Sequence, residues 1–125
     1  MSSTIKSVGE TIIDRAESAI AFEAEGRAAF NKAVAKGVRL TTFLIRPAMV
    51  AEFEAEPWHR VLLIIGKGTE PVTAVRKVRE DATDTLLESA PSQSSDALTN
   101  EADRMQREGL RRFIRDTRRL VADQA

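Results

Sequence analysis

The densest chemistry in the sequence is a run of seven arginines, Arg104, Arg107, Arg111, Arg112, Arg115, Arg118 and Arg119. At 100° per residue of helix, all seven fall within an arc of roughly 140°. Leu98, Ala102, Met105, Gly109, Phe113, Leu120 and Val121 lie on the other side. Only Glu108 and Asp116 interrupt the run, leaving a local charge of about +5. A guanidinium is planar, permanently charged and able to grip a carboxylate or a phosphate through two parallel bonds. Such a stripe can neutralise phosphates on DNA or RNA or dock an acidic partner protein. It can also exchange salt bridges along its own solvated helix. Asp96, Glu101, Asp103 and Asp123 bring the helix total down to about +1. No aromatic residue interleaves the arginines to stack on bases. Both facts weigh against nucleic acid.

Gly66-Lys67-Gly68-Thr69 is the second candidate, with Lys67 and Thr69 as possible anion contacts. It follows Val61, Leu62, Leu63, Ile64 and Ile65, the most apolar run of the chain, and opens an amphipathic helix. A phosphate-binding P-loop needs Gly-x-x-x-x-Gly-Lys-Ser/Thr. Here Val61 stands at the first glycine position and Gly68 follows the lysine, so that motif is excluded. Residues Arg60 to Thr69 resemble the strand–Gly–Lys–Gly–helix turn of Smr-type nucleases and Alba-type nucleic-acid binders. The histidine that precedes this glycine in many Smr domains is Ile65 here. The likeness covers those ten residues alone and assigns no family. Without a ligand, Gly66 and Gly68 read as a tight strand-to-helix turn that needs positive φ.

Glu56-Pro57-Trp58-His59 has the Glu-x-x-His spacing of carboxylate-bridged metal helices. Pro57 interrupts the motif and no second copy exists, so a dimer would have to complete a metal site; the plainer reading is a boundary histidine beside a tryptophan. Glu52, Glu54 and Glu56 alternate and so do not share a helical face. The serines cluster in the N-terminus and near Pro91, with nothing to hold one against His59, the single histidine. A nucleophile and its base must sit preorganised on rigid elements. The sequence therefore predicts no metal, no cofactor and no enzyme.

The elements that must position these groups are mostly helices. Residues from about Ser3 to Lys36 read as one long helix with a capping box at Ser7-Val8-Gly9-Glu10. Its apolar face carries Ile5, Val8, Ile12, Ala16, Ala19, Ile20, Phe30, Ala33 and Val34. Alanine lets a partner helix approach closely. Glu23 and Arg27 fall within that face. They are expected to pair four residues apart near its edge, or to set the register of a partner helix. Gly37 is a helix stop. Val38–Ile45 is predicted as a strand. Pro47 then opens a short helix that Pro57 ends or kinks at Glu56. Val61–Ile65 is predicted as the second strand. Thr69 is expected to cap a helix lasting to about Ser89, with Val72, Val75, Val78, Ala82 and Leu86 on one face. Residues 90–95 read as a short flexible connector. The arginine helix follows, from Ser95 to about Asp123.

At 125 residues the chain is expected to be one domain. Without cysteine it has no disulfide or thiolate site, which suits a reducing cytoplasm. Neither a signal-peptide core nor a membrane-length apolar run is visible. Nineteen basic against nineteen acidic residues give zero net charge, which favours association and removes any whole-protein pull on polyanions. The fold expected is mainly α, of the α+β class, with the two long terminal helices packed around two short strands. An all-α bundle is the alternative. The function expected is a small non-enzymatic interaction protein, an adaptor, inhibitor or assembly component, homo-oligomeric and cytoplasmic. A nucleic-acid-binding accessory protein using the arginine face is the alternative.

Overall fold

A computed structural model describes residues 7–39, 42–91 and 93–122. It contains four helices, α1 (Val8–Ala35), α2 (Thr42–Gly66), α3 (Pro71–Glu88) and α4 (Ala97–Ala122). No strand occurs among the described residues, so the all-α alternative holds and the α+β expectation is corrected. Of the first expected strand, Leu40 and Thr41 lie outside the described residues, and Thr42 to Ile45 form the first turn of α2. Val61–Ile65 forms the last turns of α2. Burial in that run is one-sided: Val61 is fully buried, whereas Leu63 is 62% exposed.

The glycines that suggested a strand end serve to stop a helix. Gly68 has φ +102°. Its N–H donates to the Ile65 carbonyl at 2.9 Å, and the Thr69 N–H donates to the Ile64 carbonyl at 3.4 Å. This is the Schellman arrangement, in which a left-handed residue folds the chain back onto the last carbonyls. Gly37, with φ +76°, closes α1 in the same way, through Gly37 to Val34 at 3.0 Å and Val38 to Ala33 at 3.1 Å. Gly66 has no positive φ and is the last residue of α2 itself. The Thr69 N–H closes α2, and the cap position of α3 falls one residue later, on Glu70, with Pro71 opening the helix. Thr69 is thus not the cap expected.

Pro47 was expected to open a short helix and Pro57 to end or kink it; α2 begins before Pro47 and runs on through Pro57. Pro57 has no N–H, so the carbonyl of Phe53 loses its ordinary partner one turn ahead. The helix continues because Pro57 is fully buried between core positions Ala55, Trp58 and Val61. Tertiary burial outweighs the local break.

At the N-terminus of α1, Ser7 Oγ accepts from the Glu10 N–H at 3.1 Å and donates to Glu10 Oε1 at 3.2 Å, which places the cap where the sequence put it. Ile5 lies outside the described residues. Asp96 starts α4, accepting from the Leu98 N–H at 3.1 Å and from Thr99 Oγ1 at 2.7 Å. The Thr99 hydroxyl, then the backbone N–H groups, hold its carboxyl below the usual carboxylate range. The 90–95 connector is laced to α4: Asn100 accepts from the Ser94 N–H at 2.9 Å and donates to the Ser94 carbonyl at 2.8 Å.

Helix α2 lies at the centre and packs on all three others. Arg46 faces Glu101 and Glu54 faces Arg112, so α2 and α4 run in the same direction. Arg76 reaches Val121, Arg79 reaches Thr117 and Ser89 meets Arg107, so α3 and α4 are antiparallel. The core joins Ile12, Ala16, Trp58, Val61, Val72, Ala74, Val75, Val78 and Phe113. The rings of Trp58 and Phe113 meet edge to face at 4.9 Å. On the first helix Ile12 and Ala16 are buried, while Val34 is 44% exposed.

Small residues set the closest approaches. A Cβ on Gly26 of α1 would lie 3.5 Å from Ala51 Cβ and 3.6 Å from Ala48 Cα, ordinary contact distances. Gly26→Ala is therefore expected to stabilise the fold by about 0.5–1 kcal/mol, read as a raised midpoint with unchanged slope in urea denaturation. On Gly109 of α4 the same atom would lie only 2.7 Å from the Phe53 carbonyl oxygen. Among the described residues, no helix is long and apolar enough to cross a membrane.

Candidate functional site

The seven arginines share α4, but the fold divides them. Arg107 turns inward and is 8% exposed. It donates to the Ser89 carbonyl at 2.6 Å and the Ser89 hydroxyl at 3.0 Å, and its Nε to Asp103 at 3.1 Å. A cation at the end of α3 suits that helix dipole, and the residue ties α3 to α4. It stands at one edge of the 140° arc, next to the apolar side, which is why packing could take it in.

Four more arginines meet carboxylates. Arg104 pairs with Glu101 at 2.6 Å, Arg111 with Glu108 at 3.8 Å and Arg115 with Asp116 at 3.2 Å. Arg112 binds Glu54 across the α2–α4 contact and also sits 3.7 Å from Glu108. Arg46 adds a cation 3.6 Å from Glu101. Between α2 and α4 lies a cleft of about 170 Å³ in which Arg46, Arg104 and Arg112 face Glu54, Glu101 and Glu108. Positive and negative groups balance there.

The far end of α4 is different. Arg118 and Arg119 are exposed and make no ion pair among the described residues. Packed against the Arg118 side of that end, α3 supplies Arg76, which donates to the Val121 carbonyl at 3.3 Å, while Arg119 stands 100° further round α4. It also supplies Arg79, which donates to the Ile114 carbonyl and, at 2.8 Å, to Thr117 Oγ1. Burial first, then the charge of Arg118, push the Arg79 guanidinium below its usual range. Lys67 is exposed on the α2–α3 turn and Thr69 is half-buried there. The antiparallel packing of α3 and α4 brings that turn to the same end of the bundle as Arg118. Arg76 and Arg79 were not singled out from the sequence. Their signal was the run Arg76-Lys77-Val78-Arg79, set in a helix whose second half is acidic.

A second surface lies between α1 and α2. A groove of about 340 Å³ is lined by Phe30, Ile45, Ala48 and Met49, with Glu23, Arg27, Asn31 and Glu52 around them. Glu23, 8% exposed, is the polar anchor of this region. Its Oε2 accepts from Arg27 at 3.3 Å, the i, i+4 pairing expected, and its Oε1 lies 2.7 Å from His59 Nε2. The Glu-x-x-His sequence thus does not act as a unit; His59 turns to a carboxylate on another helix. Among the described residues no three His, Cys, Asp or Glu side chains gather as a metal would need.

No family model, characterised protein or solved structure matches this chain. The site must be read from its own geometry.

Proposed function

We propose that the chain is a small non-enzymatic interaction protein, an adaptor, inhibitor or assembly component, which pairs with a second copy of itself through the α1–α2 groove. The observation that carries this reading is the groove itself, whose floor of Phe30, Ile45, Ala48 and Met49 is open to solvent. Val34 and Val38 add exposed apolar surface at the end of α1 and just after it, at 44% and 49% exposure. Clustered apolar surface rimmed by polar groups marks association sites.

Charge favours a second copy as the occupant. The tip of the α1–α2 hairpin carries Lys32, Lys36 and Arg39, and the flank of α2 carries Glu52 and Glu56. A two-fold axis across the hairpin brings the basic tip of each copy toward the acidic flank of the other, the self-complementarity an isologous dimer requires. Zero net charge leaves no global repulsion to oppose it.

The test is light scattering coupled to size exclusion over a range of concentrations. The wild type is expected to elute as a dimer, and Met49→Glu as a monomer with an unchanged circular dichroism spectrum. A wild type that stays monomeric at every concentration, or a Met49→Glu variant that still dimerises, removes the reading.

A further inference from the structure

We infer that the end of the bundle where α3 meets the C-terminus of α4 is a second site, which binds the phosphate backbone of double-stranded nucleic acid through Arg76, Arg79 and Arg118 at the seam and Arg119 one helical step further round α4. The inference does not depend on the groove. It starts from the division of the arginines. Arg104, Arg111, Arg112 and Arg115 each face a carboxylate, so binding an external anion there means breaking an existing pair. Among the described residues no carboxylate pairs with Arg76, Arg79, Arg118 or Arg119. Like charges held side by side repel, and an incoming anion relieves that repulsion.

Two of the four are also held in place. Arg76 is anchored on the Val121 carbonyl and Arg79 on Ile114 and Thr117. Each guanidinium has five N–H donors in a fixed fork, so those anchors leave donors to spare. Groups fixed before binding lose less entropy on binding.

The surroundings select phosphate over a protein carboxylate. A protein interface needs a buried aromatic or aliphatic anchor at its centre. Among the described residues the large apolar side chains that stand exposed are Phe22, Val34, Val38, Leu63, Leu87 and Leu98. None lies on the first half of α3 or the second half of α4, and Leu87 and Leu98 are at the opposite end of that helix pair. The same lack of aromatic side chains removes the stacking platform that single strands use. What remains is charge and hydrogen bonding to a backbone, which a duplex presents at regular spacing and in any sequence.

Fluorescence anisotropy with a labelled duplex, at about 50 and 200 mM salt, tests this directly. Four phosphate contacts predict an affinity that falls about a hundredfold between those salts, following a log–log slope of roughly −3.6. The Arg118→Gln/Arg119→Gln double variant is expected to bind at least tenfold more weakly at the lower salt. Its slope should be shallower by about two. Arg104→Gln/Arg111→Gln should lose less than that double variant. Arg60→Gln, which removes a cation paired with Asp81 on another surface, should bind as the wild type does. No binding at the lower salt, equal affinity for wild type and the 118/119 double variant, or a larger loss from the 104/111 pair overturns the inference. Tighter binding to the single strand, or displacement by polyglutamate as effective as by unlabelled duplex, overturns it as well. The last result would assign the patch to an acidic protein.

Discussion

Phe113→Ala is expected to lower the free energy of unfolding by about 3–5 kcal/mol. Phe113 is 2% exposed and meets Trp58 edge to face, so truncation removes both its buried area and an aromatic contact worth about 0.5–1.5 kcal/mol. It also leaves a cavity where α4 meets α2, bounded by side chains that belong to separate helices and cannot all close in. Domains of this size have a total stability of about 5–15 kcal/mol, so the loss is a large share of the whole. Urea denaturation followed by tryptophan fluorescence gives the midpoint, and Trp58 itself is the probe. A change below about 1 kcal/mol would show that the α2–α4 contact is not the centre of the core.

Gly109→Val is expected to cost about 3 kcal/mol or more. Alanine at a mid-helix glycine normally gains about 1 kcal/mol; here even that gain should be outweighed. The new Cβ would lie 2.7 Å from the Phe53 carbonyl oxygen and 3.0 Å from its carbon. These are backbone atoms, which cannot swing aside as a side chain can. Valine adds two methyl groups to the same collision. The comparison with Gly26→Ala is the sharpest form of the test, because the two glycines sit in helices of similar length and should respond with opposite signs. A neutral Gly109→Ala would mean that α4 can slide along α2 at little cost.

What the sequence disclosed and what it hid follow from one distinction. Signals carried by a few neighbouring residues were readable. The Ser7 cap, the Gly37 stop, the Glu23–Arg27 pair, the apolar face of α3 and that of α4 at Met105, Gly109 and Phe113 lie where local rules put them, although Leu98 of the same face is 55% exposed. Val72, Val75, Val78 and Ala82 are buried as the helical period requires. Signals that depend on packing misled. Five aliphatic residues followed by Gly-Lys-Gly look alike whether they finish a strand or a helix, because glycine after the run is demanded by both. Only the hydrogen bonds from Gly68 and Thr69 decide between them. Pro57 reads as a terminator in one dimension and is a buried core residue in three. Likewise the arginine stripe looked uniform on a helical wheel, since the wheel cannot show that Glu54 comes to meet Arg112 from α2, or that Ser89 draws Arg107 inward. The α1–α2 groove left no sequence signature at all, for it exists only once two helices stand side by side.

The contact at Gly109 also constrains how this sequence can change. Pro57 leaves the Phe53 carbonyl without its helical donor, and the bare backbone of Gly109 is what comes close to that oxygen. The weak C–H donors of a glycine can face a carbonyl where a side chain could not. Positions 57 and 109, remote in the chain, are therefore one locus in effect. A side chain arriving at 109 while the carbonyl stays where the proline leaves it meets a wall. A residue with an N–H at 57 would give that carbonyl a helical donor and a reason to turn along its own helix. Gly109→Ala is therefore expected to cost less beside Pro57→Ala than in the wild type, so the effect of either substitution depends on which residue already stands at the other position.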